Sequence, residues 1–171
     1  MVNRMAIDAA HTKWWQIFEI VFGVPFLIAI FLQLFFPLSF PRGFFTSILT
    51  VVGAVILFFG VILAILARRE FAKYNQPTDP GHPTLKIITT GVFSFSRNPL
   101  YLGGFCIIVG VALAINLPWV LILLLPTLFV CHFVLIVPEE RYLVAKFGNE
   151  YRLYTTSVYR WIGRIKSPPT K

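Results

Sequence analysis

Charge is what this sequence has least of. Asp, Glu, Lys and Arg make up 13% of its 171 residues, against roughly 25% in an ordinary soluble domain. That scarcity excludes a water-soluble globule, because too few polar side chains remain to cover one. Cysteine is nearly absent as well. The two that occur, Cys106 and Cys131, lie inside apolar runs. They fit neither a disulfide framework nor a metal-ligand spacing, and read as packing residues. No metal site is expected. A G-x-G-x-x-G fingerprint is missing, which argues against a Rossmann-type nucleotide fold. There is no internal repeat, no low-complexity tract and no base-reading motif. The net charge of +8 is therefore no sign of nucleic acid.

What fills the space is apolar. Hydrophobic residues make up 57% of the chain and mean hydropathy is +0.78. A membrane span needs about 20 mostly apolar residues, and four runs approach that: 17–38, 45–67, 99–114 and 119–137. The expectation is one all-α, polytopic membrane domain over residues 1–171, embedded in the lipid bilayer. With four crossings, every basic residue except Arg42 falls on the same side of the membrane. The positive-inside rule makes that side cytoplasmic, with both termini there, and the charge favours anionic lipid at the surface. The first run is too long for a signal-peptide core and is expected to stay.

Within this frame several residues stand out. Trp14 and Trp15 read as interface anchors. Glu19 reads as an interfacial acid at the start of the first span, although an ionisable residue in a span is also a functional candidate. Gly53, Gly60, Ala64 and Ala67 fall near one face of the second span and invite close approach of a neighbour. The connector from 71 to 96 holds a turn-rich, proline-rich run around His82, which is read as a loop residue. The third span is short for a full crossing. His132, in the fourth, reads as a buried core histidine. Pro138, Glu139 and Glu140 open a new or continuing helix, with Lys146 in its last turn and Gly148 just past it.

One stretch concentrates chemistry. Residues 89–104, TTGVFSFSRNPLYLGG, crowd Gly91, Arg97, Asn98, Pro99 and Tyr101 against the start of the third span. Gly91 permits close approach to backbone, and Arg97 is a forked donor for a carboxylate or phosphate. Asn98 is a plausible helix cap with Pro99 at the first helical position. If the third and fourth spans form a hairpin, this stretch meets Glu139 and Glu140. Donors (Arg97, Asn98), acceptors (Glu139, Glu140) and aromatic walls (Phe93, Phe95, Tyr101) then suit a zwitterionic, aromatic-bearing ligand such as S-adenosylmethionine.

The pattern T-x-G-x-F/Y-x-x-x-R-N/H-P-x-Y-x-G, followed by E-E-x-x-L-x-x-x-F-G-x-x-Y-x-x-Y over Glu139, Glu140, Leu143, Phe147, Gly148, Tyr151 and Tyr154, resembles the isoprenylcysteine carboxyl methyltransferase and phospholipid methyltransferase superfamily. The resemblance implies an integral membrane enzyme moving a methyl group from S-adenosylmethionine to an amphiphilic lipid or isoprenoid-type acceptor. It puts the family's cofactor-binding run on Leu85, Lys86, Ile87 and Ile88. It also carries cofactor contacts to Phe93, Asn98 and Glu139, with Glu140 left as the helix-start charge. Gly91, Arg97, Tyr101 and Glu140 stand beside them as cofactor candidates on their own chemistry. One position departs: the isoprenylcysteine enzymes carry an arginine four residues before the acid, and this chain has Leu135. That argues against a free carboxylate as acceptor. Two other readings compete, an NADPH-dependent membrane reductase of the steroid-reductase type and a non-catalytic assembly or transport protein.

Overall fold

A computed structural model describes residues 16–77 and 82–165 of the chain. Trp14 and Trp15, expected as interface anchors, lie outside the described residues. Helices dominate, and the described residues contain no strand beyond an isolated bridge between Val158 and Arg164. In order they are α1 (Phe18–Phe35), α2 (Phe44–Lys73), α3 (Pro99–Ala114), α4 (Pro118–Cys131), α5 (Val137–Phe147) and α6 (Asn149–Ser157). A 3₁₀ turn at Gly91–Ser94 precedes α3, and a π-helical turn at His132–Ile136 fuses α4 to α5. Among the described residues three stretches are long and apolar enough to cross a membrane: Phe18–Phe35, Phe44–Lys73 and Pro118–Phe147. The protein is an integral membrane protein of polytopic helical build.

The apolar surface explains why. Leu34 (75% exposed), Phe44 (84%) and Leu125 (71%) point outward with many others, which suits only a lipid surround. Inside, α2 and α3 pack backbone to backbone. A Cβ on Gly53 would meet Gly110 O at 2.7 Å, and one on Gly110 would meet Leu57 N at 2.5 Å. Gly60 faces Gly103 in the same way, and Ala64 abuts Gly103. The small-residue face expected on the second span is therefore real at Gly53, Gly60 and Ala64, and Ala67 further along is buried in a cluster with Ile88 and Phe93. α1 lies on α4, where Val21, Phe22, Leu124, Cys131, Leu135 and Ile136 form a core.

The helix boundaries differ from the apolar runs in an informative way. α3, with 16 residues, spans about 24 Å, less than a hydrocarbon core of about 30 Å. α2 runs on past residue 67 to Lys73, because Arg68, Arg69, Glu70 and Lys73 are good helix formers once in water. The fourth run likewise does not stop at 137. Pro138 lacks an N–H and its ring crowds the carbonyl four residues back. The chain widens there by one residue, with Val137 N–H bonding His132 O, and continues as α5. His132 is half-buried, edge-on to Phe133 at 4.9 Å, rather than a buried core histidine. At the opposite end, Trp119 Nε1 donates to Phe36 O at 2.8 Å and Phe40 N to Asn116 Oδ1 at 2.8 Å, tying the two helix connections together. The lengthened ends of α2 and α4–α5 leave α3 as a short floor between two projecting walls.

Candidate functional site

The connector after α2 closes the space above that floor. Gln76 Oε1 accepts the backbone N–H of Leu85 at 2.8 Å and of Lys86 at 3.3 Å, and Tyr142 OH accepts that of Thr84 at 3.1 Å. Ile87 then packs with Tyr151, Tyr154 and Val158. Next, Glu70 Oε2 accepts from Thr90 Oγ1 at 2.9 Å while Glu70 Oε1 pairs with Lys73 Nζ at 2.5 Å. Gly91, at φ +56°, turns the chain over this carboxylate. Tyr154 OH donates to Phe93 O at 2.7 Å, pinning the 3₁₀ turn to α6.

Beneath these contacts lies a cavity of about 370 Å³, within the range of small-molecule pockets, about 300–1,000 Å³. Lys86, Ile87, Ile88, Phe93, Arg97, Asn98, Tyr101, Glu139 and Glu140 all line it. Leu85 and Gly91 do not. Leu85 is 58% exposed and contributes its backbone to the Gln76 anchor, and Gly91 serves the turn over Glu70. Phe95, expected as an aromatic wall, is exposed and off the cavity. Asn98 makes no side-chain cap on α3; its Nδ2 donates instead to Arg160 O at 3.2 Å. The amide goes there because residues 158–165 fold back over the loop, with Arg97 N donating to Tyr159 O at 3.2 Å and Gly163 N to Phe95 O at 2.8 Å.

Phe18, Arg68 and Ile107 line the cavity without having stood out in the sequence. Ala64 and Gly104, noted there only for close packing or as part of the motif stretch, join them, and Glu19 and His82 also reach the wall. A Cβ on Gly104 would run into the Phe18 ring, so that glycine admits α1 to the site. Arg68 carried a usable signal, as a cation one helical turn beyond Ala64. Tyr151 and Tyr154, which with Leu143, Phe147 and Val158 follow a helical period suited to packing over the spans, both line the cavity. Burial pushes the Tyr151 phenol up to about 12, Glu140 adding and Arg97 opposing, and burial raises that of Tyr154 as well. Both therefore stay neutral hydroxyls at physiological pH.

The charges are unevenly shared. Glu140 is clamped by Arg160, with Nε to Oε1 at 2.9 Å and Nη2 to Oε2 at 2.6 Å, and also pairs with Arg97 Nη1 at 3.0 Å. Among the described residues Glu139 has a single hydrogen bond, accepted from Tyr101 OH at 3.1 Å. Arg97 also reaches Tyr151 OH at 3.4 Å from Nη1, while its Nε is buried with no partner among the described residues. Leaving such a donor unpaired costs about 1–3 kcal/mol, which a ligand acceptor would recover. The cavity thus offers an anion seat at Arg97, a less committed carboxylate at Glu139, and apolar and aromatic faces between.

The sequence profile of the phospholipid methyltransferases matches residues 48–150, more than half of the chain. The chain belongs to the phospholipid methyltransferase family. The resemblance drawn from the two motif blocks is thereby borne out. No curated protein and no solved structure matches the chain. The stretch matched to the phospholipid methyltransferases takes in the connector, α3, α4 and α5 but stops within α6, leaving α1 and residues 158–165 outside it. Leu135, the position of departure from the isoprenylcysteine enzymes, is fully buried among Val21, Phe22, Leu124 and Cys131 and does not line the cavity.

Proposed function

We propose that the protein transfers a methyl group from S-adenosylmethionine to the head of a lipid-type amphiphile at the membrane surface. The observation that carries this reading is the two-sided cavity wall, in a chain of the phospholipid methyltransferase family. One side is polar and aromatic, with Arg97, Asn98, Glu139, Tyr101 and Phe93. The other is apolar, with Phe18, Ala64, Gly104 and Ile107, all contributed by helices of the membrane-spanning bundle.

The polar side suits S-adenosylmethionine. The free Nε of Arg97 would take its carboxylate, and Glu139 its ammonium or ribose hydroxyls. Phe93, Ile87 and Ile88 offer faces for adenine, beside backbone groups of residues 85–88. The bound cofactor supplies a methyl carbon already activated on sulfonium; an acceptor lone pair takes that carbon as the carbon–sulfur electrons return to sulfur. What remains for the protein is to align and desolvate, and these alone supply much of such a rate. Phe18 and Ile107 keep water from the apolar side. Arg68 and Glu19, of opposite sign and with no ion pair among the described residues, stand on the cavity wall, where a dipolar lipid head would lie. The basic bias of this end supports a cytoplasmic site.

The test is to supply labelled S-adenosylmethionine to the purified protein, once with total membrane lipid and once with soluble metabolites. Label is expected in the lipid fraction. Label confined to the aqueous fraction refutes the lipid acceptor, and NADPH binding in place of S-adenosylmethionine refutes methyl transfer.

A further inference from the structure

We infer that Arg160, which lies outside both motif blocks and beyond the family match, is a positioning residue that keeps Arg97 available as the cavity's anion seat. The inference rests on the methyl-transfer reading for the identity of the anion and deepens it.

Three charged groups meet at this point. Two are arginines and one is the Glu140 carboxylate, so a single positive charge is left over. Which arginine keeps it is a question of geometry. A carboxylate has two oxygens and prefers a forked donor. Arg160 supplies that fork, through Nε and Nη2 to both oxygens of Glu140. Arg97 is left with one contact to Glu140, from Nη1. Its Nε therefore remains buried and, among the described residues, unpaired. Arg160 itself does not line the cavity, so it acts only through its neighbours.

The fork is held by the fold-back of residues 158–165. Tyr159 N donates to Gly163 O at 2.9 Å and Ile165 N to Ser157 O at 2.9 Å, closing a reversal with Gly163 at φ +112°. Arg164 Nε donates to Ser94 O at 3.1 Å and Trp161 packs on Phe105, with ring centroids 5.2 Å apart. The backbone carbonyl of Arg160 also accepts from Asn98 Nδ2 and Ser96 Oγ. The arm of Arg160 is thus fixed from both sides before it reaches Glu140. Without its guanidinium, Glu140 would have Arg97 as its only cation among the described residues. Arg97 would rotate to give Glu140 a fork of its own, and the anion seat would close.

The experiment is equilibrium binding to the purified full-length protein in detergent, with two ligands. S-adenosylmethionine carries the amino-acid carboxylate; 5′-methylthioadenosine shares the adenosyl group and lacks it. Arg160→Gln is expected to weaken S-adenosylmethionine by about tenfold, the coupling usual within one ion-pair network, and to leave 5′-methylthioadenosine within about twofold. Adding Glu140→Gln to Arg160→Gln should recover most of that loss, because the competing carboxylate is gone. Arg160→Lys keeps the charge without the fork, and should sit between wild type and Arg160→Gln on the same ligand pair. Equal loss of both ligands in Arg160→Gln, or in Arg160→Lys if the glutamine variant does not fold, would mean a merely structural role and overturn the inference. So would unchanged affinity, or a double variant no tighter than the single one. Wild-type protein that binds neither ligand would remove the methyl-transfer reading and this inference together.

Discussion

Gly91→Ala tests how the connector is held over the cavity. The substitution acts twice. At φ +56° a residue with a Cβ pays about 1–2 kcal/mol for the left-handed region. The new Cβ would also stand 2.5 Å from Glu70 Oε1 and 2.6 Å from Glu70 Cδ. A carboxylate at the end of a flexible side chain ordinarily steps aside, but this one is held by Lys73 and Thr90. Displacing it costs about 1–3 kcal/mol as an overpacked contact. The expected total is therefore about 2–5 kcal/mol, taken from the local stability of the connector rather than from the spans. Hydrogen exchange of the backbone amides of residues 85–96 reads that quantity. At about 1.4 kcal/mol per tenfold, exchange there should quicken by between about thirtyfold and a few thousandfold. Amides of α4 should be unaffected. The same substitution in a Glu70→Ala background has no carboxylate to meet, and should cost only the backbone part, about 1–2 kcal/mol. Unchanged exchange in Gly91→Ala, or an equal penalty with and without Glu70, would refute the reasoning.

Other outcomes follow from the same geometry. Glu139→Ala should weaken S-adenosylmethionine by about 2–5 kcal/mol, whereas Glu150→Ala, at an exposed position, should not; equal affinities count against the assignment. With the motif end cytoplasmic, a membrane-impermeant thiol reagent added outside intact cells should label Ser39→Cys and spare His82→Cys, and the reverse pattern inverts the topology. Gly110→Leu should prevent α2 and α3 from meeting, since even a Cβ comes within 2.5 Å of Leu57 N; detergent melting like that of wild type would contradict the packing. Leu135→Arg should destabilise the protein by several kcal/mol, roughly 3–5 for an unpaired buried charge, without creating activity on prenylcysteine acids. A stable variant with that activity would place position 135 in the site after all.

The spans were legible in the sequence because lipid imposes a length and a composition on each helix separately. Glycines on one face of the second span could be read for the same reason: side chains recur along a helix with a fixed period. The motif blocks announced Arg97, Asn98, Tyr101 and Glu139 as neighbours, and all four line one cavity. What each does with its hydrogen bonds was not legible. Asn98 sits where a cap belongs, yet the Arg160 carbonyl, 62 residues away along the chain, takes its amide. Arg97 and Glu140 read as a donor and an acceptor for a ligand; in the fold they meet each other, and Arg160 decides how much of Arg97 is left. Leu135 read as a vacancy in the site and proves to be core between α1 and α4. Local periodicity and solvent preference act on each segment alone, so one sequence suffices to read them. Competition among donors and acceptors is settled only when distant segments arrive together. That settlement belongs to the tertiary structure.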